Sequence, residues 1–280
     1  MLALSKVKKN IEFNQRFKSI LEVLKSIAVS QFHILEKKLE LYEPFDRALH
    51  AFFASIDMKK IVHPFLKPTP PLGVVAVSSD QGLLGGLNLR VINAATSLIQ
   101  TKQDQLIVIG EQGKHYARYG KVPFVAFPGV HDETRYQQAI EIRDYLFQRI
   151  REKQIGSIQV VYPRAFSLVN QKVEAVMLLP LVAEESQLPS EIDWSQIVFE
   201  SSPECILEYL AHLWVGQKLN EFFGLSRLAE LGARYIHLEE SSQKIQDMNN
   251  KLKLQYFKLR HEAIDQSMRE LFSARSLYAD

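Results

Sequence analysis

The sequence has a single cysteine, Cys205, in 280 residues. One cysteine excludes a disulfide framework and a thiolate metal site. No run of eighteen apolar residues occurs, which excludes a membrane-spanning helix, and the N-terminus lacks the apolar core of a signal peptide. These absences together predict a cytoplasmic chain. The eight histidines include no His-x-x-His or His-x-x-x-His pair, the spacing that puts two metal ligands on one helix face. There is no Gly-x-Ser-x-Gly elbow, and Cys205 has no base beside it in sequence. A net charge of +2 is too mild to argue for nucleic acid.

Proline is absent after Pro203, and the last glycines are Gly216, Gly224 and Gly232. Between Ser241 and Ser276 neither breaker occurs, and good helix formers dominate. Ile245, Met248, Leu252, Tyr256, Leu259 and Ala263 step by three or four, one apolar stripe on a helix. At about 1.5 Å per residue such a helix runs roughly 100 Å, so it needs a partner helix. From Leu4 to about Ile56 the pattern is again helical: Leu4, Val7, Ile11, Phe17, Ile20, Leu24, Ala28, Phe32, Leu35, Leu39 and Tyr42 mostly follow three-four spacing, with Asn14 the polar break. Pro44 predicts a kink, because Phe45, Leu49 and Phe52 continue the stripe. The first forty residues carry eight Lys/Arg against four Glu, which reads as a solvated face or a contact with an acidic partner. An antiparallel coiled coil buries both seams most simply.

Between the helices the texture changes. Prolines 64, 68, 70 and 71 stop the first helix, and short apolar runs then alternate with helical patterns. Strands are predicted at Leu72–Val77, Leu106–Ile109, Val122–Phe127 (an edge strand, given Pro123), Ile158–Tyr162 and Val173–Leu179, the last two joined by about ten residues. Helices are predicted at Leu89–Ile99, Gln112–Arg118 and Arg135–Lys153. The fold class is therefore α/β plus coiled coil, with a mostly parallel-sheet domain inserted between the long helices. The expected domains are a shaft of residues 1–60 and 205–280, a Rossmann-like α/β domain of 70–182 and a linker of 183–204.

The most distinctive stretch is Ser78-Ser-Asp-Gln-Gly-Leu-Leu-Gly-Gly-Leu-Asn88. A Gly-rich turn between strand and helix can cradle phosphate on backbone N–H groups. No Walker lysine follows, though, and the G-x-G-x-x-G spacing is not met by Gly82, Gly85 and Gly86. Asp80 has no second acid nearby for a metal. A tight structural turn built on Asp80, Gly82, Gly85, Gly86 and Asn88 is the better reading, with no cofactor and no catalytic residue.

Four stretches nevertheless resemble one family, the γ subunit or central rotor shaft of F-type ATP synthases. Val23-Leu-Lys-Ser-Ile-Ala-Val-Ser-Gln31 is similar to its A-M-K-M-V-A-A-S-K helix, and Ser79–Asn88 to its S-D-R-G-L-C-G-G-F-N turn. Val161-Tyr-Pro through Leu178-Leu-Pro-Leu181 resembles V-Y-N-x-F…Q-L-L-P-L. Phe257–Glu270 resembles N-K-A-R-Q-x-x-I-T-Q-E-L-x-E. The resemblance implies a non-catalytic shaft that couples ion flow through a membrane ring to ATP synthesis or hydrolysis on β subunits. The implied partners are the α and β subunits, ε and the c-ring, with the chain peripheral on the inner face of the cell membrane. It implies hexamer contacts at Arg260, His261, Asp265, Gln266 and Glu270. Arg260, Ile264, Gln266 and Glu270 match the family pattern, whereas His261, Asp265 and Ser267 stand where it has Gln, Thr and Glu. Leu24 and Ser26 replace its two methionines. These departures imply a divergent γ, of an alternative-operon type. A γ-derived adaptor that no longer rotates, or a nucleotide-binding α/β module, are the rival readings.

Overall fold

In the computed structural model the described residues are 2–39, 63–120, 122–181 and 201–277. Pro44, the stripe through Phe52 and most of the expected linker lie outside them. The order is α1 (Leu2–Leu39), a 3-10 turn (Pro64–Leu66), β1 (Leu72–Val77), α2 (Leu87–Leu98), β2 (Gln105–Ile109), α3 (Glu111–Tyr119), β3 (Phe124–Phe127), α4 (Arg135–Arg151), β4 (Ser157–Ser167), β5 (Asn170–Leu179) and α5 (Pro203–Leu277). The fold class is as expected: long terminal helices and a mostly parallel α/β domain between them. Two compact units divide it, one of Met1–Ala28 with Tyr235–Asp280, the other of Val29–Arg234.

In the larger unit the strand order is β3-β2-β1-β4-β5. β1 is central because it pairs in parallel with both β2 and β4, and β3 extends the parallel edge. The connection between the last two strands is not the ten-residue link expected. β4 and β5 pair antiparallel through a tight turn at Leu168 and Val169. The polar residues Arg164, Ser167, Asn170 and Lys172 broke the apolar signal, yet they lie on a paired ribbon outside the main core.

Alternation along each parallel strand sends side chains to two buried faces. Val74, Ala76, Leu106 and Val108 pack on Val91, Ile92 and Ala95 of α2. Val75, Val77, Ile107 and Ile109 pack on the opposite layer, made of Ala139, Ile142, Leu146 and Phe147 of α4 with Leu207, Leu210, Ala211, Val215, Leu219 and Phe223 of α5. The first thirty or so residues of α5 are thus a structural layer of the α/β unit. Phe32 and Leu35 of α1 join Leu228 and Leu231 of α5 in a separate small core.

In the smaller unit α1 and α5 run antiparallel. Lys18 Nζ donates to Gln246 Oε1 at 2.8 Å, Ser242 Oγ to Glu22 Oε1 at 2.7 Å, and Lys25 Nζ to Glu239 Oε2 at 2.6 Å. Buried α1 positions recur every seven residues at Val7, Asn14, Leu21 and Ala28, the spacing of a coiled-coil seam. This differs from the expected stripe. Phe17, Ile20 and Leu24 are exposed, while Lys18 and Lys25 stand beside the seam. On α5, Met248 is exposed and Asn249 is buried in its place. A three-four count tolerates either neighbour, and only the partner helix selects one.

Candidate functional site

Two sets of residues singled out in the sequence lie in different units. In the larger unit, the Gly-rich turn is a junction at the carboxyl ends of β1, β2 and β3. Ser79 N donates to Asn88 Oδ1 at 3.1 Å, and Asn88 Nδ2 donates back to Ser79 Oγ at 2.9 Å. Asn88 is buried and fills the turn's interior. Gly86 caps α2 at φ 89°, a left-handed conformation that a side chain would strain. Gly82 faces open space, and nothing in the structure explains it.

Asp80 binds three loops together. Its Oδ1 accepts from Glu111 N at 2.9 Å and from Gly129 N at 3.0 Å. The first of these N–H groups opens α3, where a helix offers uncompensated donors and positive potential. In a phosphate-binding turn that position takes the ligand's anion; here the chain's own carboxylate takes it. A Cβ on Gly129 would stand 2.4 Å from the Asp80 carboxyl carbon, so the loop after β3 closes directly over it. The turn then docks on α5: Leu84 and Leu87 pack on Ala233, and Arg234 Nη2 donates to Gln81 Oε1 at 2.9 Å. These bonds and contacts build a structural joint.

In the smaller unit, Arg260, His261, Asp265, Gln266 and Glu270 all lie exposed on α5. Gln266 Nε2 donates to Glu270 Oε1 at 3.1 Å. No hydrogen bond or ion pair joins His261 to Asp265, although they stand four positions apart on the helix. From Lys251 to Ser273 every residue of α5 is exposed or only half-buried. Leu254, Phe257, Ile264, Met268 and Leu271 form an exposed apolar stripe there. Sequence reasoning missed this second stripe because it followed the one that continues the seam.

Among the described residues, no group of three or more His, Cys, Asp or Glu is placed to hold a metal, and no helix is long and apolar enough to cross a membrane.

Taken separately, one unit is a five-stranded α/β unit and the other an antiparallel pair of long helices. A chain of the Euglena gracilis mitochondrial ATP synthase rotor shares this fold, with a TM-score of 0.66 over 94% of this chain and 99% of that one, at 14% identity. The sequence profile of the ATP synthase family matches residues 3–276. The ATP synthase gamma chain of Desulfitobacterium hafniense is 24% identical over 96% of this chain and 97% of its own. That of Clostridium acetobutylicum is 26% identical over 95% and 94%. The chain belongs to the ATP synthase family and is a gamma subunit of its F type, a central-stalk component of the F1 sector.

Proposed function

We propose that this subunit is the turning shaft that couples ion flow through a membrane ring to ATP synthesis or hydrolysis on β subunits, and that it carries no catalytic site of its own. One observation carries the reading. The end of α5, to Ser273, presents apolar and polar side chains that no described residue of its own unit covers, over a length that a lone soluble helix would not expose. Their partner is the interior of an α and β hexamer. The α/β joint faces ε and the c-ring, which puts the chain on the cytoplasmic, inner face of the cell membrane. Arg260, His261, Asp265, Gln266 and Glu270 form the grip on the hexamer, with Arg260 pairing to an acidic loop through charge-assisted hydrogen bonds. The Asp80, Gly85, Gly86 and Asn88 turn keeps the joint rigid while torque passes through it. Identities of 24% and 26% to the relatives named suit a divergent member of an alternative operon.

The test is Arg260→Ala in the assembled complex. ATP-driven ion pumping should fall severalfold, while the free subunit's melting temperature stays within about 1 °C, since the side chain is exposed and changes there cost little. Unchanged pumping with a lowered melting temperature would make Arg260 a structural residue. Recovery of the native subunit with α and β subunits and a c-ring separates a rotor from a γ-derived adaptor, which would come with other partners.

A further inference from the structure

Within the smaller unit, the bonds Lys18–Gln246, Ser242–Glu22 and Lys25–Glu239 fix the register, each step along α1 being answered by an equal step back along α5. That register sets Asn14 of α1 level with Asn249 and Asn250 of α5. Asn14 and Asn249 are both buried, so amides stand where a coiled-coil seam takes aliphatic side chains. Asn249 Oδ1 is sealed from solvent and has no hydrogen-bond donor. A buried acceptor without a donor has lost its hydration and gained no bond in exchange.

The coil differs on the two sides of this layer. Below it, toward Ala28, all three cross-helix bonds occur, and Leu21, Ala28, Leu238 and Ser242 are buried. Charges are complementary there: Arg16, Lys18 and Lys25 outnumber Glu22 on α1, whereas Glu239, Glu240 and Asp247 outnumber Lys244 on α5. Above it, residues 2–13 of α1 face about 251–262 of α5, and among the described residues no hydrogen bond or ion pair joins the two stretches. Val7 is the one residue there, among those described, that is buried. Lys6, Lys8 and Lys9 outnumber Glu12, and on the facing stretch Lys251, Lys253, Lys258 and Arg260 outnumber Glu262. Both helices are therefore positive where they meet, and like charges repel until salt screens them.

We propose that the Asn14–Asn249 layer is a break in the coil: above it residues 2–13 of α1 open from α5 as one unit, and ionic screening closes them. The coil then has a fixed lower part and an upper arm whose closure depends on the charge around it. This device is a property of the chain by itself and does not depend on the rotor reading.

The test is hydrogen exchange of the full chain, read by mass spectrometry at about 0.01 M and about 1 M sodium chloride, where the Debye length is about 30 Å and about 3 Å. At low salt the amides of residues 5–12 should exchange together, at least about tenfold faster than those of residues 17–27, with the step falling at Asn14. High salt should slow the upper group severalfold and leave the lower group no slower, because the same screening weakens the lower coil's opposite charges. Asn249→Leu should slow the upper group about tenfold. Lys258→Glu, which sets a carboxylate across from Lys6, should slow it severalfold at low salt and remove most of its salt response. Lys258 is exposed, so this variant keeps the fold even where the leucine variant does not. Exchange that quickens smoothly toward the N-terminus, with no step at Asn14, would be ordinary end fraying and would overturn the proposal. Equal slowing of both groups by salt, or an upper group indifferent to both substitutions, would overturn it as well.

Discussion

Asp80 shows how much one side chain can organise. Its single oxygen accepts two backbone N–H groups, from residues 31 and 49 positions further along the chain. Asp80→Ala leaves both donors without their acceptor, and hydrogen bonds to charged groups contribute about 1.5–3 kcal/mol each. The expected loss is about 2–3 kcal/mol in urea unfolding, with Asp80→Asn losing less because an amide oxygen still accepts. Asp104 has a similar role at the other end of the strands. Burial pushes its carboxyl up, but the N–H groups of Leu72, Thr101 and Gln100 outweigh burial and hold it below its ordinary value of 3.8. A depressed carboxylate stabilises the fold above its unfolded value and loses that contribution as pH falls through its folded one. Asp104→Asn should therefore melt below the unaltered chain at pH 7, and the gap should narrow as pH drops below 3.8. A gap constant from pH 7 to pH 3 would mean that the charge contributes nothing. In the coil, hydrogen bonds from Lys25 and then Ser242 hold the Glu22 carboxyl low, and those with Glu22 and Glu239 hold the Lys25 amine high, so both stay charged at neutral pH.

Among the elements, α5 carries the most contrasting duties. Its first part is a core layer, and its later part a coil strand and then a mostly exposed end. Its glycines sit where other elements cross. At Gly232 an added Cβ would stand 2.5 Å from Gln171 Nε2 and 2.9 Å from the Leu168 carbonyl oxygen. Gln171 Nε2 cannot swing away freely, since it donates to the Ser167 and Leu168 carbonyls at the hairpin turn. Helix propensity alone favours alanine by about 0.8–1 kcal/mol. Gly232→Ala should nevertheless destabilise by about 1–2 kcal/mol, because overpacking a fixed contact costs more than propensity returns. A variant more stable than the parent in denaturant unfolding would show that the hairpin yields easily. The hairpin's length escaped the sequence because polar residues alternate there with apolar ones on a ribbon that is only partly covered.

For the whole molecule, burial predicts a wide spread of local stability. β1 and β2 are almost wholly buried between two helical layers, whereas α5 from Leu254 to Ser273 is covered on one side at most. In the free subunit, amides from Leu254 to Phe272 should exchange within seconds to minutes and those of Val74–Val77 only over hours or longer. Assembly with α and β subunits should slow the first group at least tenfold. Equal exchange of Leu254–Phe272 in the free and assembled forms would remove the hexamer interior as its partner.

The order and type of nearly every element were legible in the residues, since periodicity, proline and glycine act over a few positions. β1 was located to the residue, and the residues from Ser78 to Asn88 read as a tight strand-to-helix turn because their spacing fits no phosphate loop. Tertiary structure alone decided which neighbours on a helix face inward. Phe17, Ile20 and Leu24 read as seam residues but are exposed, while Lys18 and Lys25 bond across to α5. It also decided that the start of α5 packs under the sheet and that Asp80 reaches two distant loops. Such outcomes depend on contacts between residues far apart in the chain, and a local pattern carries no information about which distant surface will cover it.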